Sequence, residues 1–228
     1  MGNNISKDEI KFIYFDVGDV LLHLKKTSSE YISEYLNIDI SLYRKVIDNI
    51  RKDNRYLWQY RNIKEEEEFF RKIYTLFLEK LGLTYNEKDL DQIIRYELKR
   101  DYIANKEDIN IIKKLSAKYR LGVLSNAGSS RREHELKIYD LYKYFEVIIL
   151  SKEIGSRKPN PDIYQYAIEK SSEKPEHILY IDDKEINLEG AKKEGINNLI
   201  LFSKNKVKSN YIQIQKISDI LNILDYTP

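Results

Sequence analysis

Four stretches of this chain set reactive groups directly beside apolar runs. FIYFDVGD ends such a run on Asp16, with Gly18 and a second carboxylate, Asp19, close behind; LGVLSN ends on Ser125 and Asn126; HILYIDD ends on Asp182 and Asp183. The fourth, EIGSRKPNPDIY, carries Lys158 just before a helix start signalled by Pro159 and Pro161. Carboxylates from separate strands can hold a hard cation such as Mg²⁺, which prefers oxygen ligands. Such a cation neutralises a phosphate and lets an anionic carboxylate approach it. A carboxylate can itself be the nucleophile, forming an aspartyl-phosphate. Ser125, Asn126 and nearby backbone N–H groups suit phosphate oxygens, and Lys158 offers a point charge. Singly, each feature has a plainer reading: an Asp after a strand caps a turn, SNAG is a turn, KPNP opens a helix. Their order and common placement favour a site.

Placement depends on the elements. IKFIYF (10–15), LGVLS (121–125), EVIIL (146–150), HILYI (177–181) and NLILF (198–202) are short, continuous apolar runs, which suit strands covered on both faces of a parallel sheet. Helical patterns separate the later ones: Ile111, Leu115 and Tyr119, then Ile163, Tyr166, Ala167 and Ile168. This alternation predicts a doubly wound α/β domain, whose ligands bind at the carboxyl ends of the strands. Asp16, Ser125, Asn126, Asp182 and Asp183 all fall at such ends. Between the first two strands lie about a hundred residues of helical pattern (Tyr31, Ile32, Tyr35, Leu36; Val46, Ile47, Ile50; Phe69, Phe70, Ile73, Tyr74, Phe77, Leu78; Ile93, Ile94, Leu98). We read these stripes as the core of an inserted helical bundle. The expected division is 1–22 with 103–228 as the sheet domain and 23–102 as the insert.

The 228 residues suffice for one large or two modest domains. Lys plus Arg (39) nearly balance Asp plus Glu (37), which gives no electrostatic footprint for nucleic acid. RREHELK and KNKVK read as solvated surface. With no cysteine, thiolate chemistry and disulfides are excluded. No apolar run approaches the ~20 residues of a membrane span, and MGNNISKDEIK lacks the apolar core of a secretion signal. A cytoplasmic protein without membrane or nucleic-acid partners is expected. His23, His134 and His177 have no metal-ligand spacing.

Taken in order, FDVGDVL, LSNA, the lysine of RKPNPDIY and YIDDKEINLEGA resemble the four motifs of the haloacid dehalogenase-like hydrolase superfamily, through essentially the whole chain. That resemblance implies a Rossmann-like core, a helical cap over the substrate, and Mg²⁺-dependent hydrolysis of a small phosphorylated metabolite such as a sugar phosphate. It makes Asp16 the nucleophile and a metal ligand, with the Gly18 carbonyl and Asp183 as further ligands and Asp182 acting directly or through water. Ser125 and Asn126 would bind phosphate, and Lys158 would stabilise the nucleophile and the transferring group. Asn187 would orient the acidic loop, while Gly190 and Ala191 would let the following helix pack closely.

One position departs from that pattern. Phosphatases of the superfamily carry a second Asp two residues after the nucleophile as general acid and base, worth about 10²–10⁴-fold. Here that position is Gly18. Asp19 is the neighbouring carboxylate, but one step along a tight loop turns its side chain elsewhere, into local turn hydrogen bonds. A slow or specialised phosphatase is the expectation. A 2-haloacid dehalogenase, which also lacks this Asp, is disfavoured because Asp182 and Asp183 would repel a halocarboxylate. A catalytically idle binding protein is the third reading. Hinges for cap closure are expected near 23–26 and 101–106. Tyr56, Trp58 and Tyr60 are candidates for facing a sugar or ring, or for joining the cap core.

Overall fold

The computed structural model describes residues 5–53, 63–98, 102–127 and 131–226. Two compact units emerge: Met1–His23 with Ala104–Pro228, and Leu24–Ile103. The chain runs through β1 (Phe12–Phe15) and β2 (His23–Leu24), then α1 (Ser28–Leu36), α2 (Ile40–Asp53), α3 (Ile63–Lys80) and α4 (Glu87–Leu98), before β3 (Tyr102–Ile103). Strands and helices then alternate: α5 (Lys106–Ser116), β4 (Arg120–Ser125), α6 (Arg131–Ile138), β5 (Val147–Leu150), α7 (Ser151–Ile154), α8 (Pro161–Ser171) and β6 (Ile178–Asp182). The last elements are α9 (Glu185–Lys193), β7 (Asn198–Phe202), β8 (Ile212–Ile214) and α10 (Asp219–Ile223).

The first unit is built on a six-stranded parallel sheet of order β5-β4-β1-β6-β7-β8. From β1 the chain moves outward on one side through β4 and β5, then restarts on the other side at β6. The direction of winding therefore reverses around β1, the topological position at which open α/β sheets bind ligands. All four residues of β1 are buried, as are all five of β6 and of β7. Phe12, Tyr14, Leu124, Tyr180 and Leu201 join Ile163, Tyr164 and Ala167 of α8 and Leu188 and Ala191 of α9 in one core. The alternate residues Ile13, Phe15, Val123, Ile181 and Ile200 are buried as well, so both faces are covered. Strand β8, at the edge of the sheet, escapes a search for continuous apolar runs because Gln213 interrupts IQI.

Gly122 makes one close approach possible. It pairs with Tyr14 across β1 and β4, and a Cβ there would lie 2.4 Å from the Tyr14 ring and 2.7 Å from that of Phe12. Two large aromatics of β1 thus fill the space above β4, and the Tyr14 hydroxyl donates to the Ala167 carbonyl at 2.8 Å.

In the second unit, α1 is started by Thr27, which forms a capping box with Glu30: the Glu30 amide donates to Thr27 Oγ1 at 3.2 Å and the Thr27 amide to Glu30 Oε2 at 2.7 Å. Asn37 closes it in the left-handed region at φ 51°. The apolar stripes meet in one core of Ile32, Tyr43, Ile47, Phe70, Tyr74, Phe77 and Ile93, among others. A polar thread runs through it: the Tyr43 and Tyr74 hydroxyls are 2.7 Å apart, and Tyr74 donates to Glu97 Oε2 at 2.7 Å. Tyr56, Trp58 and Tyr60 lie outside the described residues, as does Asp101. Among the described residues, no helix is long and apolar enough to cross a membrane.

Candidate active site

Parallel register brings the carboxylates together. Tyr14 pairs with Tyr180 and Phe15 with Ile181 across β1 and β6, and the Asp16 amide continues the ladder to the Ile181 carbonyl at 2.9 Å. One step further, Asp16 and Asp182 leave neighbouring strands on the same face, because side chains alternate with period two. Asp183 follows, and one carboxylate oxygen from each of Asp16, Asp182 and Asp183 lies within 4.8 Å of the others. Among the described residues this is the one such group that could hold a metal ion.

Lys158 reaches the same point from the loop before α8, and its environment is unusual. The side chain is buried and its ammonium has four acceptors in reach: Asp16 Oδ1 at 2.8 Å, the Leu124 carbonyl at 2.7 Å, Asp182 Oδ2 at 2.7 Å and the Tyr180 hydroxyl at 3.0 Å. Burial alone would lower its pKa, but the charges of Asp16 and Asp182 outweigh it and raise the pKa above the ordinary lysine value. The loop is clamped by Asn126. Its Oδ1 accepts from the Lys158 amide at 2.8 Å and its Nδ2 donates to the Lys158 carbonyl at 2.9 Å. The expected phosphate ligand thus spends its side chain on the lysine backbone. Ser125 closes β4, one strand from Asp16, and is buried.

Asp182 is fully buried and fully engaged. Oδ2 accepts from Lys158 and from the Tyr180 hydroxyl; Oδ1 accepts from the Lys184 amide at 2.9 Å and from Asn187 Nδ2 at 2.9 Å. Four donors occupy the roughly four lone-pair positions of a carboxylate. Burial raises its pKa, yet the Lys158 charge and these hydrogen bonds prevail and hold it below the usual carboxylate range. Asn187 is held in turn by Tyr164, whose hydroxyl donates to its carbonyl at 2.7 Å. A Cβ at Gly190 would meet the Pro159 carbonyl and the Tyr164 ring at 2.8 Å, so this glycine lets α9 approach the lysine loop and α8.

The two outer acids behave differently. The Asp16 pKa is raised, first by burial and then by Asp182, against the pull of Lys158 and, more weakly, of Arg132. Asp183 is pushed up to about 7 by burial, with Asp16, Asp182 and Asp19 adding to it and Lys184 opposing. Its Oδ1 is buried without a hydrogen-bond partner. Asp19 stands exposed in the left-handed region at φ 62°, its amide donating to the Leu22 carbonyl at 2.8 Å, and Gly18 adjoins it in the same turn.

Two features were not legible beforehand. Tyr180 touches both Lys158 and Asp182, and only its spacing of two from Asp182 could have pointed to it. Arg132 and Glu135 correct the reading of RREHELK as solvated surface. Both are buried on α6 and paired at 2.8 Å, a contact that offsets the cost of burying either charge alone. KNKVK is exposed. Of the histidines, His23 stacks on Phe202 at 6.0 Å with Nε2 3.6 Å from Asp108, His177 lies 3.5 Å from Glu173, and His134 is exposed.

Known proteins share this arrangement of elements. The phosphorylated carbohydrates phosphatase of Thermotoga maritima is 26% identical over 134 residues, which span 56% of this chain and 61% of that protein. The aligned region thus covers about three-fifths of this relative's length. The magnesium-bound HAD-hydrolase YfnB of Bacillus subtilis superposes with a TM-score of 0.72 at 19% identity, covering 95% of this chain and 99% of that one. The L-2-haloacid dehalogenase of Xanthobacter autotrophicus, with chloropropionic acid covalently bound, gives 0.70 at 15% identity over 95% and 98% of the two chains. At such identities the two structures speak for the fold. The sequence pattern of the haloacid dehalogenase-like hydrolases matches residues 8–201, and the chain belongs to that family.

Proposed function

We propose that this chain is a Mg²⁺-dependent phosphatase of a small phosphorylated metabolite, acting through an aspartyl-phosphate on Asp16. The observation that carries the reading is the division of labour on Asp16: Lys158 takes Oδ1, and no hydrogen bond among the described residues engages Oδ2. That oxygen supplies the electron pair for a P–O bond. The ester P–O bond breaks, its oxygen leaves with the electron pair and takes a proton, and water then attacks the phosphoryl group to release inorganic phosphate and regenerate Asp16. Lys158 stabilises negative charge on the transferring group as well as on Asp16. With glycine at position 18, the leaving oxygen draws its proton from solvent, which favours good leaving groups and modest rates.

The donor set fits Mg²⁺. All the candidate ligands are oxygens, and Asp183 Oδ1, buried with no hydrogen bond and only the Lys184 ammonium at 4.0 Å, is the kind of atom a cation would satisfy. Asp16 and Asp183 would hold the ion, with the Gly18 carbonyl as the family pattern implies. Asp182, saturated by four donors, would act at one remove. When bound, the ion would offset phosphate charge and bring the Asp183 carboxyl back to its ionised form. Ser125 and the backbone beyond it would receive the phosphate oxygens. The named activity of the carbohydrate phosphatase relative supports a sugar-phosphate substrate.

A panel of phosphorylated metabolites incubated with Mg²⁺, with EDTA, and with Asp16→Asn tests the reading: release of phosphate should need both Mg²⁺ and Asp16. Turnover that survives Asp16→Asn would refute it. One observation keeps dehalogenation as a second reading, since Lys158 neutralises Asp182 and thereby weakens the repulsion expected of the acid pair. Chloride release from 2-chloropropionate would favour it, but it leaves the Asp183 oxygen that lacks a hydrogen bond without a role.

A further inference from the structure

Tyr180 stands two residues before Asp182 on β6, so both side chains project from the same face of the sheet. Its ring is fully buried beside Tyr164, edge to face at 6.1 Å. As core filling, phenylalanine would serve as well; what phenylalanine lacks is the hydroxyl. That hydroxyl donates to Asp182 Oδ2 and accepts from Lys158 Nζ at 3.0 Å. The ammonium has three N–H bonds and four acceptors within reach, so its orientation is a choice. By donating to Asp182 Oδ2 the hydroxyl pins that carboxylate and satisfies part of its demand on the ammonium, which biases the choice towards Asp16 even though the phenol oxygen is itself one of the four acceptors.

We propose that Tyr180 is a positioning residue of the reaction centre. Its hydroxyl locks the Asp182–Lys158 pair so that the ammonium grips Oδ1 of Asp16 and leaves the other oxygen free to attack. The proposal rests on the reading of Asp16 as nucleophile. It acts on Asp16 only through Lys158, and no proton transfer by the phenol is involved.

Tyr180→Phe removes the hydroxyl and keeps the ring. Outer partners of this kind are worth about 10–100-fold in activity, so kcat should fall at least tenfold per folded molecule while KM changes less than threefold. In an Asp182→Asn background the same substitution should cost less than threefold, because the anchor it acts on is already weakened. Tyr14→Phe is the control: its hydroxyl is equally buried in the same core but binds the Ala167 carbonyl. It should lower the melting temperature and leave kcat within twofold. A crystal structure of Tyr180→Phe gives a readout independent of any substrate, with Lys158 Nζ expected to leave hydrogen-bonding distance of Asp16 Oδ1. If that contact stays near 2.8 Å, or if kcat holds within threefold of wild type, the proposal is wrong. Turnover by Asp16→Asn would instead sink the nucleophile reading, and the crystallographic contact would still decide what the hydroxyl does.

Discussion

Asp183 should destabilise the metal-free protein, and by an amount that depends on pH. Its pKa rises from an ordinary 3.8 to about 7, chiefly through burial and then through the neighbouring acids. Below about pH 4 the folded and unfolded chains both hold the proton, and the group is neutral to stability. Between about 4 and 7 the unfolded chain releases the proton while the folded one keeps it, so stability falls as pH rises. Above 7 the full cost is present. A pKa difference of about 3 corresponds to about 4 kcal/mol at 1.36 kcal/mol per unit. Part of that belongs to Asp16 and Asp182, which titrate with Asp183 as a set, and the partly open side chain screens more of it. About 2 kcal/mol is therefore the working figure. Asp183→Asn should stabilise the EDTA-treated protein by about that much at pH 8 and by less than about 1 kcal/mol at pH 4.5, measured by urea unfolding. Added Mg²⁺ at pH 8 should stabilise wild type and leave the variant unchanged. A variant no more stable than wild type at pH 8, or one gaining equally at both pH values, would show that the Asp183 carboxylate is not penalised by its setting.

Lys158→Met strands Asp182 and Asp16 in the interior without their cation; a loss of about 3–5 kcal/mol in urea unfolding at pH 7 is expected, together with loss of phosphatase activity. Gly122→Ala drives a methyl group into the Tyr14 and Phe12 rings and should cost about 1–3 kcal/mol, read as a lower urea midpoint at unchanged slope. Asn126→Ala removes both hydrogen bonds that clamp the Lys158 backbone and should lower kcat more than it raises KM, since the lysine then reaches the centre from a looser loop; an unchanged kcat would make the clamp irrelevant to the chemistry.

Much of this architecture is written locally. Five of the six sheet strands are short continuous apolar runs, and cover on both faces of a parallel sheet selects for that pattern. The largely aromatic stripe of α3 and the aliphatic one of α4 announce the second core for the same reason, a helical period with one apolar face. Asp16, Lys158, Asp182 and Asp183 were also visible, because a polar residue ending a buried strand or opening a helix is a local event. What the sequence could not say is how those groups divide their bonds. That Asp182 is exhausted by Lys158, Tyr180, Lys184 and Asn187, that Asn126 clamps the lysine loop, and that Arg132 is buried against Glu135 all depend on contacts between residues remote in the chain or on the burial that tertiary packing imposes. Residue type limits which hydrogen bonds a group is able to make. Only the register of β1 against β6, and the packing of α8 and α9 over them, selects which ones it does make, since neighbouring strands must be aligned before any two side chains compete for one ammonium.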